Sequence, residues 1–181
     1  GFLGLWWAAG MTMALNQIGS LPYGVTAAYP FAVLPLFILM GHLAGEAGFI
    51  SQAFAAAVKW LGRLRGGLAM ATVAAAGVFA ACSGSTAASA ATFTPVALPE
   101  MMRYGYHKQL AAGSIAAAGT LAAMIPPSLT MVIYGIITEA SIGRLLVAGF
   151  IPGILTALVY CLGIYLYVRA NPRIAPLADV S

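Results

Sequence analysis

The chain has 181 residues, 62% of them apolar and 7% charged, with a mean hydropathy of +0.96, which excludes an ordinary water-soluble domain and makes it a membrane protein. The net charge of +4 does not point to nucleic acid, because the basic residues stand at the ends of apolar segments and form no stripe with interleaved aromatics.

The first run, GFLGLWWAAGMTMAL, is apolar from Gly1 and shows no initiator Met, charged region or cleavage site, so it reads as a cut through a helix. Phe2 to Leu15 forms one apolar segment, the polar NQIGSLPYG stretch from Asn16 reads as a loop, and Ala27 to Ala44 forms a second. Residues 1–48 are therefore assigned to N-terminal spans. In 49–65, Phe54, Val58, Leu61 and Leu64 recur at helical spacing with Gln52, Lys59, Arg63 and Arg65 between them. That pattern predicts an amphipathic helix lying along the interface.

Residues 66–98 carry an uncharged stretch, Leu68 to Leu98, interrupted by Cys82-Ser83-Gly84-Ser85-Thr86. Each half has roughly 12 to 14 residues, short of the ~20 that a spanning helix needs. In 109–138 a second uncharged stretch is divided at Ile125-Pro126-Pro127-Ser128, and consecutive prolines do not fit inside an intact helix. The last span, 145–169, has Pro152 and Gly153 near its start and closes at Arg169-Ala170-Asn171-Pro172.

The basic residues decide whether 66–98 crosses or returns. If it crosses, Lys59, Arg63, Arg65 and Arg144 fall on one side and Arg103, Lys108, Arg169 and Arg173 on the other, with no bias. If it is a re-entrant hairpin, Arg144 alone faces outward and the other seven face the cytoplasm. The hairpin gives the clear positive-inside pattern and is adopted. The 109–138 segment then crosses outward as a broken helix.

A broken helix at membrane depth leaves carbonyls and amides that hydrocarbon cannot satisfy, so it must line a cavity or be buried in protein. Free carbonyls suit a cation such as Na⁺, and free amides at a helix start suit an anion. At the first break Ser83 and Ser85 offer hydroxyls, Gly84 permits an unusual backbone angle, and Ser85 or Thr86 can cap the returning helix. At the second, Thr120, the carbonyls from Ala122 to Ile125, and Pro126-Pro127-Ser128 offer the same chemistry. Cys82 and Cys161 read as small core residues, and no transition-metal site is expected. Glu46, Glu100, Glu139 and His42 fall near span ends and read as interfacial.

The stretches SGSTAASAATFTPVALPEMMRYGY (Ser83–Tyr106) and GSIAAAGTLAAMIPPSLTMVIYGIITEASIGRLLVAGFIPGI (Gly113–Ile154) resemble the large membrane subunit of the tripartite ATP-independent periplasmic (TRAP) transporters. LPLFILMGHLAGEAGFI (Leu34–Ile50) and LGRLRGGLA (Leu61–Ala69) fit the same family, and the resemblance covers about Ala27 to Pro172. It implies an all-α integral membrane protein, an elevator-type transporter built of inverted repeats, of which this chain would hold the first. It further implies Na⁺-driven import of a carboxylate or related organic anion, C4-dicarboxylate type, across the bacterial or archaeal inner membrane, with no other cofactor. The implied partners are a small four-helix membrane subunit and a periplasmic solute-binding protein.

Carried over by position, the resemblance implies a sodium site at Ser83, Ser85, Ala122, Ile125 and Pro127. Gly84, Ser85, Thr86, Thr120 and Ser128 would face the solute. Two positions depart from the family pattern: Ala122 stands where glycine is usual, and Thr94-Pro95 where a glycine is usual nearby. A membrane enzyme lacks support, since no base adjoins Ser83 or Ser85 in sequence. A channel would build its filter from symmetry-related copies rather than two dissimilar breaks. A carboxylate symporter working without a binding protein is the competing reading.

Overall fold

The computed structural model describes residues 2–26 and 33–176, and all its regular elements are helical among those residues. The chain divides into two compact units, 1–36 and 37–181.

In the first unit α1 (Phe2–Ala9) and α2 (Met11–Thr26) are separated at Gly10, whose φ of 87° is left-handed. The break therefore comes earlier than expected. The Asn16–Gly24 stretch read as a loop is helical, a correction with a local cause at Ser20, whose hydroxyl donates to Asn16 O at 2.7 Å and so bonds back along the helix instead of breaking it. The expected apolar segment from Ala27 lies outside the described residues as far as residue 32; beyond it α3 runs Val33–Glu46.

The second unit is organised around one helix. After α4 (Phe49–Leu61), the chain turns at Gly62–Gly66 into α5 (Gly67–Ser83), whose residues from Leu68 to Ala80 are almost all buried. A helix apolar all round belongs in the middle of a bundle. Its neighbours are α4, α6 (Thr86–Arg103), α7 (Lys108–Thr120) and α9 (Ile142–Ala170). Alanines at 69, 71, 75, 76 and 80 let them approach, and Phe79 fills the space beside α6 with an edge-on contact to Phe93, centroids 5.8 Å apart. The start of α5 is secured by Tyr106, whose hydroxyl accepts from Leu68 N at 3.3 Å.

On α4, Ile50 and Phe54 are buried while Trp60 is 87% exposed. Helix α6 runs through Pro95 and Pro99 to Arg103, past the expected end at Leu98. Between α8 (Leu129–Ile137) and α9, Glu139 takes a left-handed φ of 54°, and Ala140 N donates to Gly135 O at 3.0 Å, so Glu139 is the pivot of a helix-ending turn. Helix α9 starts before Leu145 and has 29 residues; among those described it is the one helix long and apolar enough to cross a membrane. Its Val147, Ile151, Leu155, Leu158 and Leu162 are exposed, an apolar surface that water would penalise and lipid would not. Cys82 and Cys161 are free and half-buried.

Candidate functional site

Helix α5 ends at Gly84, which has φ 58° and ψ 2° and donates its N–H to Ala80 O at 3.1 Å. The next residue, Ser85, is extended and caps α6 by accepting Ala88 N at 3.3 Å. Two residues thus reverse the chain. Across the reversal the Ser83 and Ser89 hydroxyls pair at 2.8 Å, both buried.

The link from α7 to α8 is longer. A 3-10 turn, Leu121–Ala123, follows Thr120, and Met124 N and Ile125 N both donate to Leu121 O, at 3.0 and 2.8 Å. A cis Pro126-Pro127 bond follows. Ser128 then caps α8, accepting Met131 N at 3.4 Å while its hydroxyl donates to Ala123 O at 2.7 Å.

These two links meet. Leu129 N, the first amide of α8, donates to Gly84 O at 3.1 Å. A β-carbon on Gly84 would lie 2.6 Å from Pro127 O and 3.3 Å from Leu129 N, so the close approach and the left-handed backbone both demand glycine there. Behind the second link α9 presents Gly149 and Gly153, one turn apart; added β-carbons would lie 2.5 Å from Met124 O and 2.8 Å from Ile125 Cγ1.

Beside the meeting point opens a cleft of about 290 Å³ whose polar wall carries His42, Ser83, Ser85 and Thr92, with Phe79 and Leu129 completing it. Among the residues expected at the site, the structure brings Ser83, Gly84, Ser85 and Pro127 together. Ala122 is fully buried in the 3-10 turn, and the Ile125 side chain lies against Gly153 and Gly77. Among the described residues, no N–H or O–H bonds the carbonyls of Ala122, Ile125 or Pro127.

The other hydroxyls are engaged elsewhere. The Thr120 hydroxyl donates to Ala117 O at 2.6 Å and lies 3.1 Å from Tyr160 Oη on α9. Ser128 is fully buried with its hydroxyl in two bonds. Thr86 is exposed at the start of α6, and its carbonyl lies where a β-carbon on Gly119 would be 3.1 Å away.

His42, read from the sequence as interfacial, and Thr92, which no motif marks, both line this cleft. The available signal was the Gly41–Gly45 pair, small residues one turn apart that mark close helix approach: β-carbons there would reach Ser83 Cα at 3.0 Å and Thr92 Cγ2 at 4.0 Å. The side chains beside that pair face what the glycines approach.

The family model for the tripartite ATP-independent periplasmic transporter, DctM component, matches residues 4–178. A C4-dicarboxylate TRAP transporter large permease protein of Pseudomonas aeruginosa is 39% identical over 81% of this chain and 36% of its own length. An isethionate TRAP transporter permease protein of Oleidesulfovibrio alaskensis is 36% identical over 90% of this chain and 25% of its own. An ectoine TRAP transporter large permease protein of Halomonas elongata is 34% identical over 90% and 38%. The chain thus spans between a quarter and two fifths of the length of these relatives. A match running through both links and the helices that hold them places the chain in the family of the DctM component, the large permease of the TRAP transporters.

Proposed function

We propose that the chain is part of the large permease subunit of a secondary active, Na⁺-coupled TRAP transporter. It imports an organic anion of the C4-dicarboxylate type across the inner membrane. The observation that carries this reading is the contact between the two links, where Leu129 N bonds Gly84 O beside a cleft bearing Ser83 and Ser85. In this reading α5 and α6 are the arms of a re-entrant hairpin, and α7 and α8 are the halves of a broken span. Their tips lie together near mid-membrane, the arrangement that collects backbone dipoles without exposing them to lipid.

The division of labour follows from hydrogen-bond supply. Carbonyls at Ala122, Ile125 and Pro127 have no donor among the described residues and, with the Ser83 and Ser85 oxygens, suit a hard cation that prefers oxygen ligands. Na⁺ coupling is the chemistry this set supports. The solute carboxylate would be met at the Ser85–Thr86 end of α6, where helix-start amides favour negative charge. Relatives named for C4-dicarboxylate, isethionate and ectoine match this chain at 39%, 36% and 34% identity, and the first of them is the reason the C4-dicarboxylate class is proposed. A small four-helix membrane subunit and a periplasmic solute-binding protein complete the transporter, and rigid-body movement of the hairpin with α7 and α8 gives alternating access in an elevator manner.

The test uses the full-length protein in proteoliposomes, measuring uptake of labelled C4-dicarboxylates with and without a sodium gradient and the binding protein. Uptake that needs both, and falls at least tenfold in Ser83→Ala/Ser85→Ala, supports the reading. Uptake that proceeds without sodium counts against coupling, and uptake without the binding protein assigns the chain to a simpler symporter.

A further inference from the structure

A second cleft, of about 550 Å³, lies away from the links, between the α6–α7 turn and the segment after α9. Its wall carries Tyr106, His107, Lys108, Gln109 and Arg173. Arg173 arrives there because His107 N donates to Ile174 O at 2.8 Å, pinning the short turn Pro172–Ile174 against the start of α7. Two full cations therefore share one cavity, and both are exposed. Among the described residues no carboxylate lines it, and the nearest acid in the chain before it, Glu100, lies 3.9 Å from Arg103 instead.

Lys108 and Arg173 line one cleft that no carboxylate lines among the described residues, and their donor sets match a phosphate: a point ammonium and a planar guanidinium fork. The depth of the cleft is informative, since it opens just beyond Ala170, where the 29-residue apolar helix α9 ends. At the end of a span the phosphates available are those of lipid headgroups, and basic pockets at that level are built to hold them.

We propose that the cleft lined by His107, Lys108, Gln109 and Arg173 is a binding site for a phosphate group, occupied in the membrane by the headgroup of an anionic phospholipid on the cytoplasmic face. The inference rests on the membrane-protein reading but is independent of the solute and of sodium. Held there, a headgroup reinforces the joint between the α6–α7 turn and the segment after α9, which the bond from His107 N to Ile174 O and the burial of Ala175 in the core already hold.

The experiment is native mass spectrometry of the full-length transporter carrying phosphatidylglycerol or, separately, phosphatidylcholine. Wild type retains phosphatidylglycerol preferentially, and retention falls about tenfold in Lys108→Gln/Arg173→Gln. Removing the same charge elsewhere, in Lys59→Gln/Arg63→Gln, leaves retention unchanged, and Lys108→Arg/Arg173→Lys restores it. Equal retention by all variants, or equal loss in the control, overturns the site. Displacement of the lipid by millimolar inorganic phosphate assigns the site to free phosphate; resistance assigns it to the lipid. Solute uptake by the same preparation separates the readings: lipid retention without uptake sinks the transport proposal and leaves this one supported.

Discussion

The α5–α6 link and the α7–α8 link both interrupt apolar stretches and both restart on a serine cap, yet they satisfy their backbones differently. The first is short: Gly84 and Ser85 suffice, because a left-handed glycine closes α5 and the serine opens α6 at once. The second spreads over a 3-10 turn and two prolines, so the carbonyls of Ala122, Ile125 and Pro127 find no donor among the described residues. Short links leave little backbone unpaired, whereas long proline-rich ones expose acceptors. In the proposed reading, cation binding would therefore draw chiefly on the second link's carbonyls and on the first link's side-chain hydroxyls. It also separates two serines that look equivalent, since Ser128 is buried and doubly bonded while Ser85 faces a cleft.

The largest effect is expected where the links touch. Gly84→Val places a branched side chain against Pro127 O and on a backbone with positive φ. A cost of about 3 kcal/mol or more follows, read as a fall of several degrees in the Tm of the purified full-length protein. An unchanged Tm would show that the two links separate readily, and the shared site would lose its basis. Gly149→Leu attacks the same contact from behind, through Met124 O, and belongs in the same range.

Next comes the comparison of the caps. Ser128→Ala removes the α8 cap and leaves Ala123 O without its partner in a partly buried setting, at a cost of about 1–2 kcal/mol. Ser85→Ala loses one long bond at a half-exposed position and costs about 0.5 kcal/mol, while uptake falls more than in Ser128→Ala. The two readouts should therefore cross, with stability tracking Ser128 and transport tracking Ser85. If both follow Ser128, the cleft at Ser85 is not the solute path.

Much of this contrast was legible in the sequence. The interruptions at Ser83–Thr86 and Ile125–Ser128 stand out because serine, glycine and paired prolines have few uses inside an apolar stretch. That they touch was not derivable from spacing: the contact depends on Gly84 O reaching Leu129 N, and each link could have found its acceptor elsewhere. The hydroxyl assignments were legible only by type. Thr120 and Ser128 look as available as Ser85 until Tyr160 and Ala123 are seen to claim them. The Asn16–Gly24 stretch misled for the converse reason, because turn-forming side chains can bond back along a helix. Extension of α6 through Pro95 and Pro99 has the same lesson, that proline lowers helix preference without forbidding it.

A pH-dependent effect lies at the far end of α5, where Tyr106 holds the first turn as the links hold the last. Burial pushes its phenol above the usual tyrosine range, and the bond from Leu68 N pulls it partly back. A raised folded value means the neutral phenol is favoured by folding. That contribution is fully present below the unfolded pKa of about 10 and is lost as pH rises through the folded value. Tyr106→Phe leaves Leu68 N without its partner, costing about 1 kcal/mol at neutral pH. It also removes this share of the alkaline loss, so wild type and variant should converge in Tm as pH is raised beyond 10. A constant difference across that range would mean that the phenol stays neutral there or that Leu68 N finds another acceptor. A difference near zero at every pH would instead mean that packing alone holds the start of α5, leaving the paired links at its other end as the site where hydrogen bonding governs the fold.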